Sequence, residues 1–308
     1  MKYDLNSNEI SLQITLLNSD LEISGSDRND LEIDFSDLRK NAADEIFDVS
    51  FENNILKLSQ KSKKLSQFLS GEDYPVRVLL PKTIAADVAI DDISGDIKIS
   101  GIEALLGDVK TKSGDISINE IGNSEADISS ISGDIYISAK KGSLICSSVS
   151  GDIKADEMEC SKLKVKSVSG DIDLDCSFSL LDDAVLGTVS GDITVNFKKY
   201  SGDMSITFKS VSGDIELTGN KPGEEKIHLS NVKGDFSNFN QFDKIFKGSF
   251  GSVFKNFKDH IKNVSGDSST SEIRETKDKN LNIQSILDMV AHDKITVEEA
   301  EKLIKAIK

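Results

Sequence analysis

The 308-residue sequence has no tryptophan, four tyrosines, three cysteines and no apolar run of about 18 residues. Each shortage removes a class of protein. Without such a run no membrane-spanning helix is readable, and the opening residues MKYDLNSNEISLQI lack the charged-then-apolar pattern of a secretory signal. The expected location is the cytoplasm, with peripheral membrane or cell-surface placement by another route as the alternative. Cys146, Cys160 and Cys176 are odd in number and lack CxxC spacing, which argues against a disulfide framework or a zinc site and fits a reducing compartment. Positive charge is also short, with 37 Lys and Arg against 53 Asp and Glu and a formal net charge of -16. A nucleic-acid partner is set aside, because affinity for phosphate backbones comes from Lys and Arg contacts. No HExxH, GxSxG, GxxxxGK[ST] or GxGxxG appears in the context its chemistry needs. His228, His260 and His292 are too scattered to form a motif. Neither enzymatic activity nor a cofactor nor a small-molecule substrate is expected.

What is present is a repeat. ISGDIKI begins at 93, KSGDISI at 112, ISGDIYI at 131, VSGDIKA at 149, VSGDIDL at 168, VSGDITV at 189 and VSGDIEL at 211, and a further start falls at Val232. The intervals are 19, 19, 18, 19, 21, 22 and 21 residues. A unit this short cannot bury its own apolar face and must stack on its neighbours, which is the signature of a solenoid. Four and six residues after each start the pairs are Ile97/Ile99, Ile116/Ile118, Ile135/Ile137, Ile153/Ala155, Ile172/Leu174, Ile193/Val195 and Ile215/Leu217, a period of two and hence a strand. Three residues before each start stand Val109, Ile128, Cys146, Val165, Leu186, Phe208 and Leu229, predicting a second inward-facing strand. No helical period separates the strands. The chain is therefore mainly β, a single-stranded β-solenoid (β-helix) of ~19–22-residue coils, followed by an α-helical hairpin at the carboxy terminus.

Ser-Gly-Asp then falls at the bend between the two strands of a coil. There Gly supplies freedom for φ > 0, Asp bonds a backbone N–H two residues on, and the Ser hydroxyl can donate to an Asp of its own or the next coil. Asp96, Asp115, Asp134, Asp152, Asp171, Asp192, Asp214 and Asp235 would lie one above another at ~4.8 Å. They are the weak candidates for a cation ladder, although one Gly-Asp per coil lacks the denser nonapeptide pattern of calcium β-rolls. The run Asp171-Ile-Asp173-Leu-Asp175 imitates a calcium loop, but Cys176 holds the position that needs Gly, so the run reads as strand.

Residues 1–92 lack the tripeptide yet keep strand alternation in ISLQITL, DLEISG, FDVSF, NILKLS and YPVRVLLP, as expected of an amino-terminal β cap. Within them the Lys-rich stretch from Lys57 to Asp73 reads as an excursion. The coils run over 93–235. In 236–262 the stripe Phe236, Phe239, Phe242, Phe246, Phe250, Phe254 and Phe257 has helical spacing and carries Lys244, Lys247, Lys255, Lys258 and Lys262. It either caps the solenoid or lies on a membrane surface through Phe246, Phe250, Phe254 and Phe257. Residues 263–280 are a polar linker. In 281–308, Ile286, Leu287 and Val290 form one apolar stripe and Leu303, Ile304 and Ile307 another, with Thr296 and Glu299 as a capping box. A hairpin this small should dock on a second copy or a protein partner.

The combination VRVLLPKTIAADVAIDDISGDIKI followed by VSGDI-type coils resembles the DUF4097 family of adhesin-like β-strand-repeat proteins of bacteria, over most of residues 1–235. The tail ILDMVAHDKITVEEAEKLIKAI resembles the SHOCT-type, LiaX-like hairpin joined to such coils, with His292-Asp293-Lys294 at its turn. The resemblance implies a non-enzymatic bacterial scaffold or interaction protein linked to envelope stress, including antibiotic stress. The rival expectation, from carboxylates on a β-helix, is a polysaccharide-binding or polysaccharide-cleaving protein.

Overall fold

The computed structural model describes residues 1–35, 43–61 and 74–231. In chain order its elements are β1 (Lys2–Asp4), β2 (Glu9–Thr15), β3 (Leu21–Ser26), β4 (Asp30–Asp34), a short helix α1 (Ala43–Ile46), β5 (Phe47–Glu52), β6 (Ile55–Gln60), β7 (Val76–Pro81), β8 (Ala85–Asp91) and β9 (Ile97–Ser100). The coils continue as β10 (Ala104–Lys110), β11 (Ile116–Ser130), β12 (Ile135–Ser148), β13 (Ile153–Lys166), β14 (Ile172–Ser179), β15 (Ala184–Thr188), β16 (Ile193–Ser201), β17 (Ile206–Ser210), β18 (Ile215–Gly219) and β19 (Ile227–Asn231).

The coils stack as parallel strands in the register that the repeat predicts. Ile97 lies beside Ile116, Ile116 beside Ile135, Ile135 beside Ile153, Ile153 beside Ile172, Ile172 beside Ile193 and Ile193 beside Ile215. The structure is a β-solenoid, and β14 takes in residues 172–175 of the Asp171–Asp175 run as strand, with Asp171 at the corner before it. Alternation puts Ile97, Ile116, Ile135, Ile153, Ile172 and Ile193 in the core at 0–1% exposure. Val109, Ile128, Cys146, Val165, Leu186 and Phe208 face them from the second strand, also buried. Each such side chain contributes about 1.5–3 kcal/mol by leaving water. The longer late coils hold the larger residues, with Phe178, Phe197 and Phe208 fully buried and the first two rings 5.0 Å apart. Leu229 departs from the inward pattern: at the last described coil it is 60% exposed, because no described strand lies beyond it.

The amino-terminal segment supplies a coil of its own. β2 runs parallel to β8 and β3 parallel to β9, so Leu21 sits beside Ile97 although 76 residues separate them. Below this coil the chain changes direction. β6 is parallel to β2 and forms an antiparallel hairpin with β5 through Asn53 and Asn54, whose φ values of 52° and 57° suit a tight two-residue turn. β7 pairs parallel with β3 and antiparallel with β4, which pairs antiparallel with β1. The side chain of Gln60 closes the corner, its Oε1 accepting the N–H groups of Leu17 at 2.8 Å and Asn18 at 3.2 Å. Its Nε2 donates to Asn18 Oδ1 at 2.6 Å. Backbone donors that would otherwise point out of the stack are thus satisfied by a side chain, and the Lys57–Gln60 part of the Lys-rich stretch is strand rather than excursion.

Candidate functional site

The repeated tripeptide occupies one corner of every coil, and its hydrogen bonds alternate in direction. The Ser N–H donates to the preceding coil, as in Ser150 to Ile131 O at 2.9 Å and Ser169 to Val149 O at 2.8 Å. The N–H of the Ile after the tripeptide donates to the following coil, as in Ile153 to Asp171 O at 2.9 Å. Between them the Asp N–H points at the preceding coil where the turn leaves no carbonyl. The Asp side chain of that coil takes the carbonyl's place: Asp115 N–H donates to Asp96 Oδ1 at 3.0 Å, then Asp134 to Asp115, Asp152 to Asp134, Asp171 to Asp152, Asp192 to Asp171 and Asp214 to Asp192, each at 2.8 Å. The column starts one coil earlier than the repeat does, because Asp96 N–H donates to Asp20 Oδ1 at 2.9 Å.

Three expectations about this corner are corrected. Asp does not bond a backbone N–H two residues on; it bonds the Asp of the next coil. The tripeptide serines are exposed and, among the described residues, make no side-chain bond to Asp. The glycines are not there for left-handed backbone either: the described glycines with positive φ are Gly101, Gly107, Gly142, Gly202 and Gly219. At Gly95, Gly114, Gly133, Gly151, Gly170, Gly191 and Gly213 the constraint comes from the neighbour. A Cβ on Gly114 would collide with the carbonyl of Gly95, one on Gly133 with that of Gly114, and so on up the stack, while one on Gly95 would meet the carbonyl of Ser19. The first coil carries Ser19 at this place, next to Leu17 and Asn18, whose N–H groups the Gln60 amide accepts.

A second column, behind the first, is not among the expectations above. Thr111, Ser130, Ser148, Ser167, Thr188 and Ser210 stand one residue before each start, all 0–2% exposed, and Thr188 Oγ1 donates to Gly170 O at 3.2 Å. Small hydroxyl residues fit there because the Oγ atoms of Ser130 and Ser167 lie 3.1 Å from where a Cβ on Gly133 or Gly170 would be. The signal is legible as [ST]-x-S-G-D. In the second coil the position is Asp92, whose Oδ1 accepts Ile93 N–H at 2.7 Å and Oδ2 accepts Gly95 N–H at 2.6 Å. Burial pushes its carboxyl up to about 6 despite these bonds. Lys112, standing where most coils have Ile or Val, is pushed down to about 8 by burial.

The Asp column is a line, not a cluster. Successive carboxylates one coil apart repel by about 1 kcal/mol in water, and each is offset by the N–H it accepts. Among the described residues no group of three or more His, Cys, Asp or Glu converges as metal ligands would. Asp235, the Phe246, Phe250, Phe254 and Phe257 stripe, and Ile286, Leu287, Val290, Leu303, Ile304 and Ile307 lie outside the described residues. Cys146, Cys160 and Cys176 are free and buried in the core; burial raises the Cys146 thiol, and a hydrogen bond with Cys176 raises that of Cys160.

Replacing Asp152 by Ala is expected to destabilise the stack by about 1–2 kcal/mol, because Asp171 N–H loses its acceptor. Replacement by Asn keeps an acceptor oxygen and should leave stability near wild type. Denaturant unfolding measures both, and amide exchange at Asp171 should accelerate in the Ala variant alone. Equal damage from Asn would show that the carboxylate does something other than accept this bond.

A parallel β-solenoid whose most repeated residues bind coil to coil is the class that this corner defines. The chain belongs to the Toastrack DUF4097 family, whose model matches residues 8–239. Two solved structures are similar at low identity. A protein of Bacteroides fragilis named as a candidate adhesin is 19% identical, with a TM-score of 0.39 over 74% of this chain and 95% of its own. A candidate cell adhesion protein of Clostridium sporogenes is 12% identical, with a TM-score of 0.32 over 71% and 98%. No curated protein matches the chain.

Proposed function

We propose that the protein is a non-enzymatic interaction scaffold that responds to envelope stress in bacteria, in which the solenoid is a spacer and the hairpin at 281–308 is the element that associates. One observation carries the scaffold reading. The groups repeated most faithfully, Gly and Asp of the tripeptide, are engaged by the neighbouring coil rather than turned toward a common ligand point. The polysaccharide reading asks for a groove where carboxylates meet Arg or Tyr. The Asp column instead follows a largely exposed corner. The two described arginines are engaged at the amino-terminal end, Arg28 with Asp30 and Glu32 and Arg77 with Glu22 and Asp34. The envelope link rests on what the resemblance of the coils and of the tail to envelope-stress relatives implies.

The apolar stripes Ile286, Leu287, Val290 and Leu303, Ile304, Ile307 belong to a segment too short to bury them alone, which is why association is assigned to them. Light scattering on the full chain and on residues 1–280 tests this. The full chain should have at least twice the monomer mass and the truncated chain the monomer mass, with thermal unfolding of the coils unchanged. Equal masses would sink self-association through the hairpin.

A further inference from the structure

The two ends of the solenoid are finished differently. At the amino-terminal end antiparallel strands and the Gln60 amide close the stack. At the other end β18 pairs with β16 and β19 with β17, and no described strand lies beyond them. The core positions register the difference. Ile193, Val195, Ile206 and Phe208 are 0% exposed, whereas their counterparts one coil later, Ile215, Leu217 and Ile227, are half-buried and Leu229 is 60% exposed. An apolar end of a parallel stack is a template for further strands and needs a cover.

We infer that the cover is this chain's own Phe-rich segment, residues 236–253, docked over Ile215, Leu217, Ile227 and Leu229. The described residues end at the place to be covered, with β19 closing at Asn231. It continues as Val232-Lys233-Gly234-Asp235-Phe236, the corner string again. The 21-residue offset that sets Ile206 beside Ile227, if carried through this string, would bring Asp235 to the level of Asp214 and Phe236 to that of Ile215. The remaining Phe residues then follow at helical spacing, a stripe of the right chemistry for the exposed Leu and Ile. Charge agrees with the fit. The end carries Asp203, Asp214, Glu216, Glu224 and Glu225 against Lys209, Lys221 and Lys226, and the segment 236–253 carries Lys244 and Lys247 against Asp243.

The test uses the full chain with Leu229→Cys combined, one at a time, with Phe239→Cys, Phe246→Cys or Phe250→Cys, and a short bismaleimide cross-linker. The three native thiols are buried and should not compete. Docking predicts that at least one pair cross-links within a chain of monomer mass. Cross-links only between chains would assign the end to a second copy and overturn the inference. Absence of any cross-link would overturn it too, and flotation of the same protein with phosphatidylglycerol vesicles would then assign the Phe face to a membrane surface. Deleting residues 281–308 should leave the cross-link in place, so failure of the hairpin reading and failure of this one are distinguishable.

Discussion

Alanine at Gly151 is expected to destabilise the solenoid by about 3 kcal/mol, the range of a severe overpacking change. Its Cβ would collide with the carbonyl oxygen and carbon of Gly133 and lie 3.2 Å from Asp134 N. All of these are backbone atoms held by the ladder, so no side chain can swing aside. The coils must separate locally, and the neighbouring bonds from Asp152 N–H to Asp134 and Ile135 N–H to Asp152 O, 2.8 and 2.9 Å long, lengthen with them. For a structure of this size the loss corresponds to a midpoint lower by roughly 6–12 °C. The matched control is Ser19→Ala at the same corner position of the first coil, which removes a hydroxyl but adds no Cβ and should cost far less. Thermal unfolding followed by far-UV circular dichroism separates the two. Equal effects would mean that the corner glycine matters through chain flexibility and not through contact with the coil below.

The second large effect depends on pH. Asp92 is 5% exposed, and its carboxyl is raised from 3.8 to about 6, chiefly by burial and in part by the charge of Asp20. A raised folded-state value means that the folded chain holds the proton more tightly than the unfolded chain. The stabilisation is fully present below pH ~4 and is lost as pH rises through about 6, in total about 3 kcal/mol. Asn at this position stays neutral throughout. Measured as the difference between Asp92→Asn and wild type, stability should therefore rise in favour of the variant between pH 4 and 7. Carboxylates such as Asp30 and Glu32, held low by the Arg28 guanidinium, act in the opposite sense but cancel in the difference. A flat difference curve would mean that the Asp92 carboxylate is hydrated.

The coils were legible because two periods coincide in the sequence. A two-residue alternation names the inward positions, and a recurrence of about 20 residues says which of them meet, so Ile116 could be placed beside Ile97 without coordinates. The stacking of Asp96 to Asp214 follows from the same recurrence. What could not be read depends on contacts between coils or on the absence of a neighbour. Gly151 looks like a turn glycine until the carbonyl of Gly133 is seen beneath it. The first coil escaped because Ser19 stands where Gly is expected and its partner strand comes 76 residues later. Gln60 has no motif at all; its role is to supply from a side chain the acceptor for the N–H groups of Leu17 and Asn18. The converse case is Ser201-Gly202-Asp203, a tripeptide out of register. It lies on a different bend, with Gly202 at φ 139° and Asp203 paired with Lys226, and takes no part in the Asp column. Register, not composition, decides what the tripeptide does.

The Asp-to-amide ladder has a direction, and that direction matches the order in which a chain is made. Each coil from Asp96 onward presents a carboxylate acceptor toward the carboxy-terminal side, and the next coil supplies the N–H some 18–22 residues later. The slow contacts, those between β2 and β8 and between β3 and β9, fall within the first hundred residues. Once that base has closed, each later coil needs only a short loop to settle on a surface already arranged to receive it. Growth is then vectorial, and a chain interrupted after any coil would still end in a formed stack with its last carboxylate waiting.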